Sequence, residues 1–219
     1  MDQQRPAMQP RYDYLRDPAA IYRESFARLR AEADLSALPE ALHPLALRLA
    51  HAAGDASLLR DLAWSDGAAA AGRAALRAGA PILVDAAMVA AGISERRLPR
   101  RNKVLCLIGD KRVPALAKRL GTTRSAAAVE LWRPNLAGAV VAIGNAPTAL
   151  FHLLEMIAAG APKPALVLGF PVGFVGAAEA KAALTANTPG LPFIALRGRR
   201  GGSALAAAAV NALAQEESP

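Results

Sequence analysis

His51 and Arg48 lie three residues apart in Leu47-Arg-Leu-Ala-His-Ala-Ala-Gly-Asp55. In a helix that spacing puts an imidazole and a guanidinium on one face. The pair supports two readings: a helix-end histidine beside a surface arginine, or a proton donor beside an anchor for an anion. The other two histidines read structurally. His43 precedes Pro44 at a helix start, a capping or surface position, and His152 follows Phe151 in an apolar helix. Arg124 opens the alanine-rich stretch Thr122-Thr-Arg-Ser-Ala-Ala-Ala128. A cation there opposes the helix dipole. A residue that breaks the local rule is a candidate for function, and an inter-helix ion pair is the plain alternative. Gly198-Arg-Arg-Gly-Gly-Ser203 sets arginines before a helix, which suits a carboxylate or makes a simple turn.

Several familiar chemistries are missing from the sequence. No cysteine pair and no two histidines have metal-ligand spacing. A serine nucleophile elbow, a Walker A loop and a Gly-x-Gly-x-x-Gly fingerprint are all absent. The sequence thus gives no sign of a metal site or a bound cofactor, and a nucleotide-dependent oxidoreductase is disfavoured.

Charge points to an anionic partner or to a solvated basic surface. Lys and Arg number 26 against 18 acids, for a net charge of +8. The polyanion could be nucleic acid, anionic lipid or a small polycarboxylate. Nucleic acid is the weakest of these, because aromatics are only 5% and do not alternate with basic residues. One cysteine, Cys106, precludes an internal disulfide and reads as a strand residue in Val104-Leu-Cys-Leu-Ile108. Met1 to Pro10 lacks the apolar core of a signal peptide. The longest apolar region, Leu136 to Gly160, is broken by Asn145, Pro147, His152 and Glu155, so no membrane span is expected. The expected location is cytoplasmic.

These residues need elements to hold them. Asp17-Pro18 reads as an N-cap and first helical residue, followed by a buried stripe of Ile21, Phe26 and Leu29. A second helix starts near His43, buries Leu45, Leu49 and Ala52, and stops near Gly54. Then the chain alternates. Apolar runs at Ala80 to Val84, Lys103 to Ile108, Ala139 to Ile143, Ala165 to Leu168 and Phe193 to Leu196 read as strands. Helices are expected from Asp66-Gly67 to Gly79, Pro114 to Leu120, Arg124 to Trp132, Pro147 to Ala159, Ala177 to Ala186 and Ser203 to Ala214. The fold class is therefore α/β: an open, mainly parallel sheet of about five strands with helices on both faces. One domain over residues 12–214 is expected, with tails at 1–11 and 215–219. Tight turns after strands, as in Gly144-Asn-Ala-Pro-Thr148 and Gly169-Phe-Pro-Val-Gly-Phe-Val-Gly176, fall on the carboxyl edge, where such sheets bind ligands.

Those two turns, with Tyr12-Asp-Tyr-Leu-Arg-Asp17, Ile21-Tyr-Arg-Glu-Ser-Phe26, Arg48-Leu-Ala-His-Ala-Ala-Gly54, Gly79-Ala-Pro-Ile-Leu-Val-Asp85, Met88-Val89, Thr123-Arg-Ser-Ala-Ala127 and Arg197-Gly-Arg-Arg-Gly-Gly-Ser203, resemble the precorrin-8X methylmutase family. The segments appear in the family's order from about Tyr12 to Ala214. The resemblance implies a homodimeric α/β isomerase of cobalamin biosynthesis acting on a tetrapyrrole polycarboxylate. It would move a methyl group from C11 to C12 to give hydrogenobyrinic acid, with no redox cofactor or metal in catalysis. The family's catalytic histidine falls on His51, and its substrate-contacting serine and arginines on Ser25, Arg48 and Arg124. Tyr22, Asp85, Met88, Asn145 and Arg197 are further candidates for substrate contact. Ala53 and Val84 depart from the family pattern, which often has cysteine and a polar residue at those positions. A cobalt-containing substrate and, from another class, a basic nucleic-acid binder are the alternatives. The implied chemistry suits a basic chain: arginines neutralise carboxylates, and histidine delivers a proton near neutral pH.

Overall fold

The computed structural model describes residues 12–186 and 190–215. The expected tail 1–11, and 216–219 of the other, lie outside the described residues. Helix α1 spans Pro18–Glu32, and the Asp17 carboxylate caps it by accepting from the Ala20 N–H at 2.8 Å. Only Phe26 of the expected stripe is buried; Leu29 is half-buried and Ile21 is 45% exposed. The reason is that α1 lies outside the sheet layers and packs on α2, so only one narrow line of it is covered. Helix α2, His43–Ala53, has Pro44 in its first turn and ends on Gly54 at φ 63°, a left-handed cap that glycine adopts without strain. Leu45, Ala46, Leu49 and Ala50 are buried. Ala52, expected among them, is exposed, because residues 51–53 project from the core as a bare last turn.

Next come β1 (Leu62–Trp64), α3 (Ala68–Arg77), β2 (Ile82–Val84), α4 (Ala87–Gly92) and β3 (Val104–Cys106). They are followed by α5 (Val113–Leu120), α6 (Arg124–Glu130), β4 (Val140–Ile143), α7 (Pro147–Ala158), β5 (Leu166–Gly169), α8 (Ala177–Ala186), β6 (Phe193–Leu196) and α9 (Ser203–Ala214). The six strands run in the order β1-β6-β5-β4-β2-β3. Five are parallel; β1 runs antiparallel to β6, with Leu62 opposite Leu196. All five expected strands are present. β1 and α4 are additions, at three and six residues too short to show a period.

Side chains alternate across the sheet as a strand requires. Ile82, Val84, Val140, Ala142, Leu166 and Leu168 pack with α2, α3, α4 and α9. Leu83, Val141, Ile143 and Val167 pack with α6, α7 and α8. Both faces are thus covered. Added bulk at Gly144 would stand 2.8 Å from the Ser203 Cα, so glycine lets the start of α9 seat against the end of β4.

The strand order reverses at β2, which has β3 on one side and β4 on the other. Asp85 follows β2 at that switch point and is buried. Its Oδ1 accepts from Gly144 N–H at 2.9 Å, and its Oδ2 from Asn145 N–H at 3.0 Å and Ala146 N–H at 2.7 Å. Ala146 is the N-cap of α7 and has no side-chain cap of its own, so Asp85 supplies one from another element. Burial pushes the Asp85 carboxyl pKa up, and the three N–H groups oppose that shift. Replacing Asp85 by Asn would turn an NH2 toward N–H donors. Asp85→Asn should destabilise the fold by about 1.5–3 kcal/mol, read by urea unfolding. An unchanged midpoint would show that the carboxylate charge is dispensable there.

Candidate functional site

The bare last turn of α2 carries His51 against α1. His51 Nδ1 lies 3.1 Å from Ser25 Oγ, and the imidazole stacks on Phe26 at 4.7 Å between centroids and 20° between planes. Tyr22 stands 6.2 Å from the same ring. Phe26 fixes the plane of the imidazole and Ser25 engages one nitrogen. Nε2 has no hydrogen-bond partner among the described residues. Arg48, one turn earlier, sets its guanidinium 5.4 Å from the Phe26 ring and 5.9 Å from the Tyr22 ring. Its Nη2 donates to Gln215 Oε1 at 2.9 Å, a neutral partner. His51, Ser25, Arg48 and Tyr22 are therefore one contact cluster. A cleft of about 970 Å³ shares Tyr22, Phe26 and Arg48 with it and adds Arg23, Arg30 and Arg73.

The other candidates stand along the carboxyl edge of the sheet. Asp85 is occupied as described. Asn145 is exposed beside it and donates its backbone N–H to it. Met88 is 65% exposed on α4. Arg197 follows β6, exposed, with its N–H on the Asp61 carbonyl. Arg124 begins α6 behind the Thr123 cap, and its Nη2 donates to the Ile108 carbonyl at 3.3 Å. No carboxylate among the described residues pairs with Arg124 or Arg48, so the inter-helix ion pair weighed for Arg124 is not formed among them. His43, expected at a capping or surface position, is half-buried, caps no helix and lines the cleft, while His152 is packed in α7. His43 Nε2 meets the Leu38 carbonyl at 3.0 Å, and His152 Nε2 meets Glu130 Oε1 at 2.8 Å. Among the described residues no three His, Cys, Asp or Glu side chains could hold one metal ion.

Two functional supports were not visible in the sequence. Arg200 grips the segment just after His51: Nη1 donates to Asp55 Oδ2 at 2.8 Å and Ser57 Oγ at 3.0 Å, and Nη2 to Asp61 Oδ2 at 2.6 Å. The glycine-arginine run thus binds the chain's own carboxylates through Arg200, while Arg199 stacks over Phe174 at 5.5 Å. The second support is Lys181, buried in α8, whose Nζ donates to the Arg200 carbonyl at 2.6 Å.

The sequence profile of the precorrin-8X methylmutase family matches residues 20–216. The chain belongs to that family. It is therefore an isomerase of the cobalamin pathway, and the α/β fold expected from the resemblance is the one observed. The precorrin-8X methylmutase of Pseudomonas aeruginosa is 63% identical over 204 residues, spanning 93% of this chain and 98% of that relative. The cobalt-precorrin-8 methylmutase of Priestia megaterium is 36% identical over 197 residues, spanning 90% and 87%. The solved precorrin-8X methylmutase of Thermus thermophilus matches with a TM-score of 0.81 at 43% identity, over 90% of this chain and 94% of that one.

Burial pushes the Lys181 ammonium down to about 8 from an ordinary value of 10.5. Between those values the unfolded chain holds a proton that the folded chain has released, so folding stability rises with pH across the window. The gain is complete above 10.5 and lost as pH falls through about 8. Relative to Lys181→Met, the native protein should therefore become more stable from pH 8 to pH 10.5, followed by urea unfolding. A flat difference would mean that Lys181 keeps its proton in the fold.

Proposed function

We propose that this chain converts precorrin-8X to hydrogenobyrinic acid by moving one methyl group from C11 to C12, with His51 as proton donor. The reading is carried by the His51 cluster: a ring fixed by Phe26, one nitrogen on Ser25 and the other open. In the shift the C11–methyl bond breaks as the C12–methyl bond forms, and the electrons redistribute within the conjugated ring. No group leaves and nothing is oxidised. The protein's part is to hold the ring and to give it a proton that favours the reactive tautomer. The Ser25 hydroxyl can accept from Nδ1–H, which leaves Nε2 to carry and return the proton. Arg48 and Arg124 would meet peripheral carboxylates with charge-assisted hydrogen bonds. Tyr22, Met88, Asn145 and Arg197 would line the bound ring; Asp85 would act by shaping the edge rather than by touching it. The greater likeness to a relative named for the cobalt-free substrate, 63% against 36%, supports precorrin-8X over its cobalt form.

The active form in this proposal is a cytoplasmic homodimer. Supporting the dimer, Tyr12, Tyr14, Leu15 and Ile21 are exposed along α1 and the segment before it, an apolar face left open in one chain. No helix of the described residues is long and apolar enough to cross a membrane.

His51→Ala should abolish the methyl shift and still bind the corrinoid product, because other groups hold the carboxylates. Equal loss of binding and turnover would sink that division. His152→Ala, at the Glu130 pair, should leave turnover nearly unchanged.

Arg48→Gln and Arg124→Gln should each weaken product affinity by about tenfold or more, from a lost contact of about 1.5–3 kcal/mol. The ligand-free melting temperature should move little, since neither guanidinium holds a carboxylate of the described fold. A destabilised variant with native affinity would assign that arginine to structure. Titration of hydrogenobyrinic acid beside a melting curve reads both.

A further inference from the structure

Arg48 has a counterpart across a second groove. This groove, of about 360 Å³, lies over α9 between Arg48 on α2 and the turn that follows α4. Ala204, Ala207 and Ala208 form its floor, and Arg97 stands on the far wall. The turn that carries Arg97 is tied down. Asn211 Oδ1 accepts from Ser94 N–H at 2.8 Å, and its Nδ2 donates to the Gly92 carbonyl at 2.9 Å. Arg97 N–H in turn donates to the Ser94 carbonyl at 2.9 Å. A Cβ on Gly92 would stand 2.7 Å from the Ala207 Cβ, so glycine sets how close the end of α4 comes to α9.

The backbone of Arg97 is thus fixed while its side chain is exposed, with no carboxylate partner among the described residues. Arg48 on the opposite wall has only the neutral Gln215 and two aromatic faces. Arg48 and Arg97 both line this groove, which favours an anionic occupant, and a planar fork suits a carboxylate. Arg48 lines both this groove and the larger cleft, and it shares the Phe26 ring with His51, which links the groove to the helix turn of the proposed proton donor.

We infer that Arg97 is a substrate-binding residue that pairs with a peripheral carboxylate of the ring, across the groove from the carboxylate held by Arg48. The inference rests on the function proposed above. It adds a specificity: this wall reads charge, and so separates a corrinoid acid from its neutral ester.

The test is a titration of hydrogenobyrinic acid and of its methyl ester into the native protein, R97Q, R97K and R119Q. Arg119 is an exposed arginine at the end of α5, and its change alters net charge equally. R97Q should bind the acid about tenfold more weakly, with native affinity for the ester and an unchanged ligand-free melting temperature. R97K should recover part of the loss, having charge without the fork. R119Q should bind as the native protein does. Affinity of R97Q within twofold of native overturns the inference, as does an equal loss for acid and ester or an equal loss in R119Q. A native protein that binds no corrinoid acid overturns the proposed function itself, and this inference with it.

Discussion

The carboxylate of Asp85 determines how this fold can meet an anion. In open parallel sheets the switch point and the helix start beside it form a ready anion site, with N–H groups aimed outward. Here that site is filled from within. Asp85 takes the N–H groups of Gly144, Asn145 and Ala146, and the start of α7 is closed to a ligand. A carboxylate of the proposed substrate cannot use the start of α7 and must be met elsewhere. In the proposed function recognition falls to arginine side chains on separate elements: Arg48 within α2, Arg97 on the turn after α4 and Arg124 at the start of α6. The arrangement also fits a large ring better than a single phosphate. Side chains spread over several elements can reach separated carboxylates, whereas one helix start binds one group.

The proposed proton donor also stands away from the sheet. His51 projects from the last turn of α2 and depends on two long-range supports. Phe26 of α1 holds its plane, and Arg200 fixes the segment that follows it. Arg200 belongs to the connection between β6 and α9, so the sheet edge and the histidine helix are joined by one guanidinium. Lys181 is buried beneath that joint on the Arg200 carbonyl. A buried amine with one carbonyl partner is costly. The hydrogen bond it gives to the turn is the visible compensation.

Much of the fold was legible because the parallel strands are buried on both faces and read as unbroken apolar runs. Proline, glycine and Asp17 marked helix ends that the structure reproduces within a residue or two. β1 escaped because three residues, Leu62 to Trp64, carry no pattern of their own; the pairing with β6 defines them. The exposure of Ile21 escaped for a related reason. Periodicity shows which residues of a helix share a face, and not whether anything covers that face. At the site, spacing brought Arg48 and His51 to one helix face, and the structure agrees. Ser25 joined them through family resemblance alone, since no local pattern links positions 25 and 51. The Arg200 clamp could not be read at all. Its partners lie 139 and 145 residues away, and only the folded chain makes them neighbours.

One consequence concerns how stability and chemistry are separated in this molecule. The groups that hold the fold together by charge are internally paired: Arg200 with Asp55 and Asp61, Arg133 with Glu130, and Asp85 with backbone N–H groups. Arg48, Arg97 and Arg124 have no such partner among the described residues. An arginine without a carboxylate adds little to an exposed surface and repels its like. Three uncompensated arginines contribute little to the fold and remain available to an anion. The net charge of +8 has the same meaning at the level of the whole chain. Arg48, part of that excess, stands one turn from His51, and in the proposed function binding the polycarboxylate ring would neutralise it beside the proton donor.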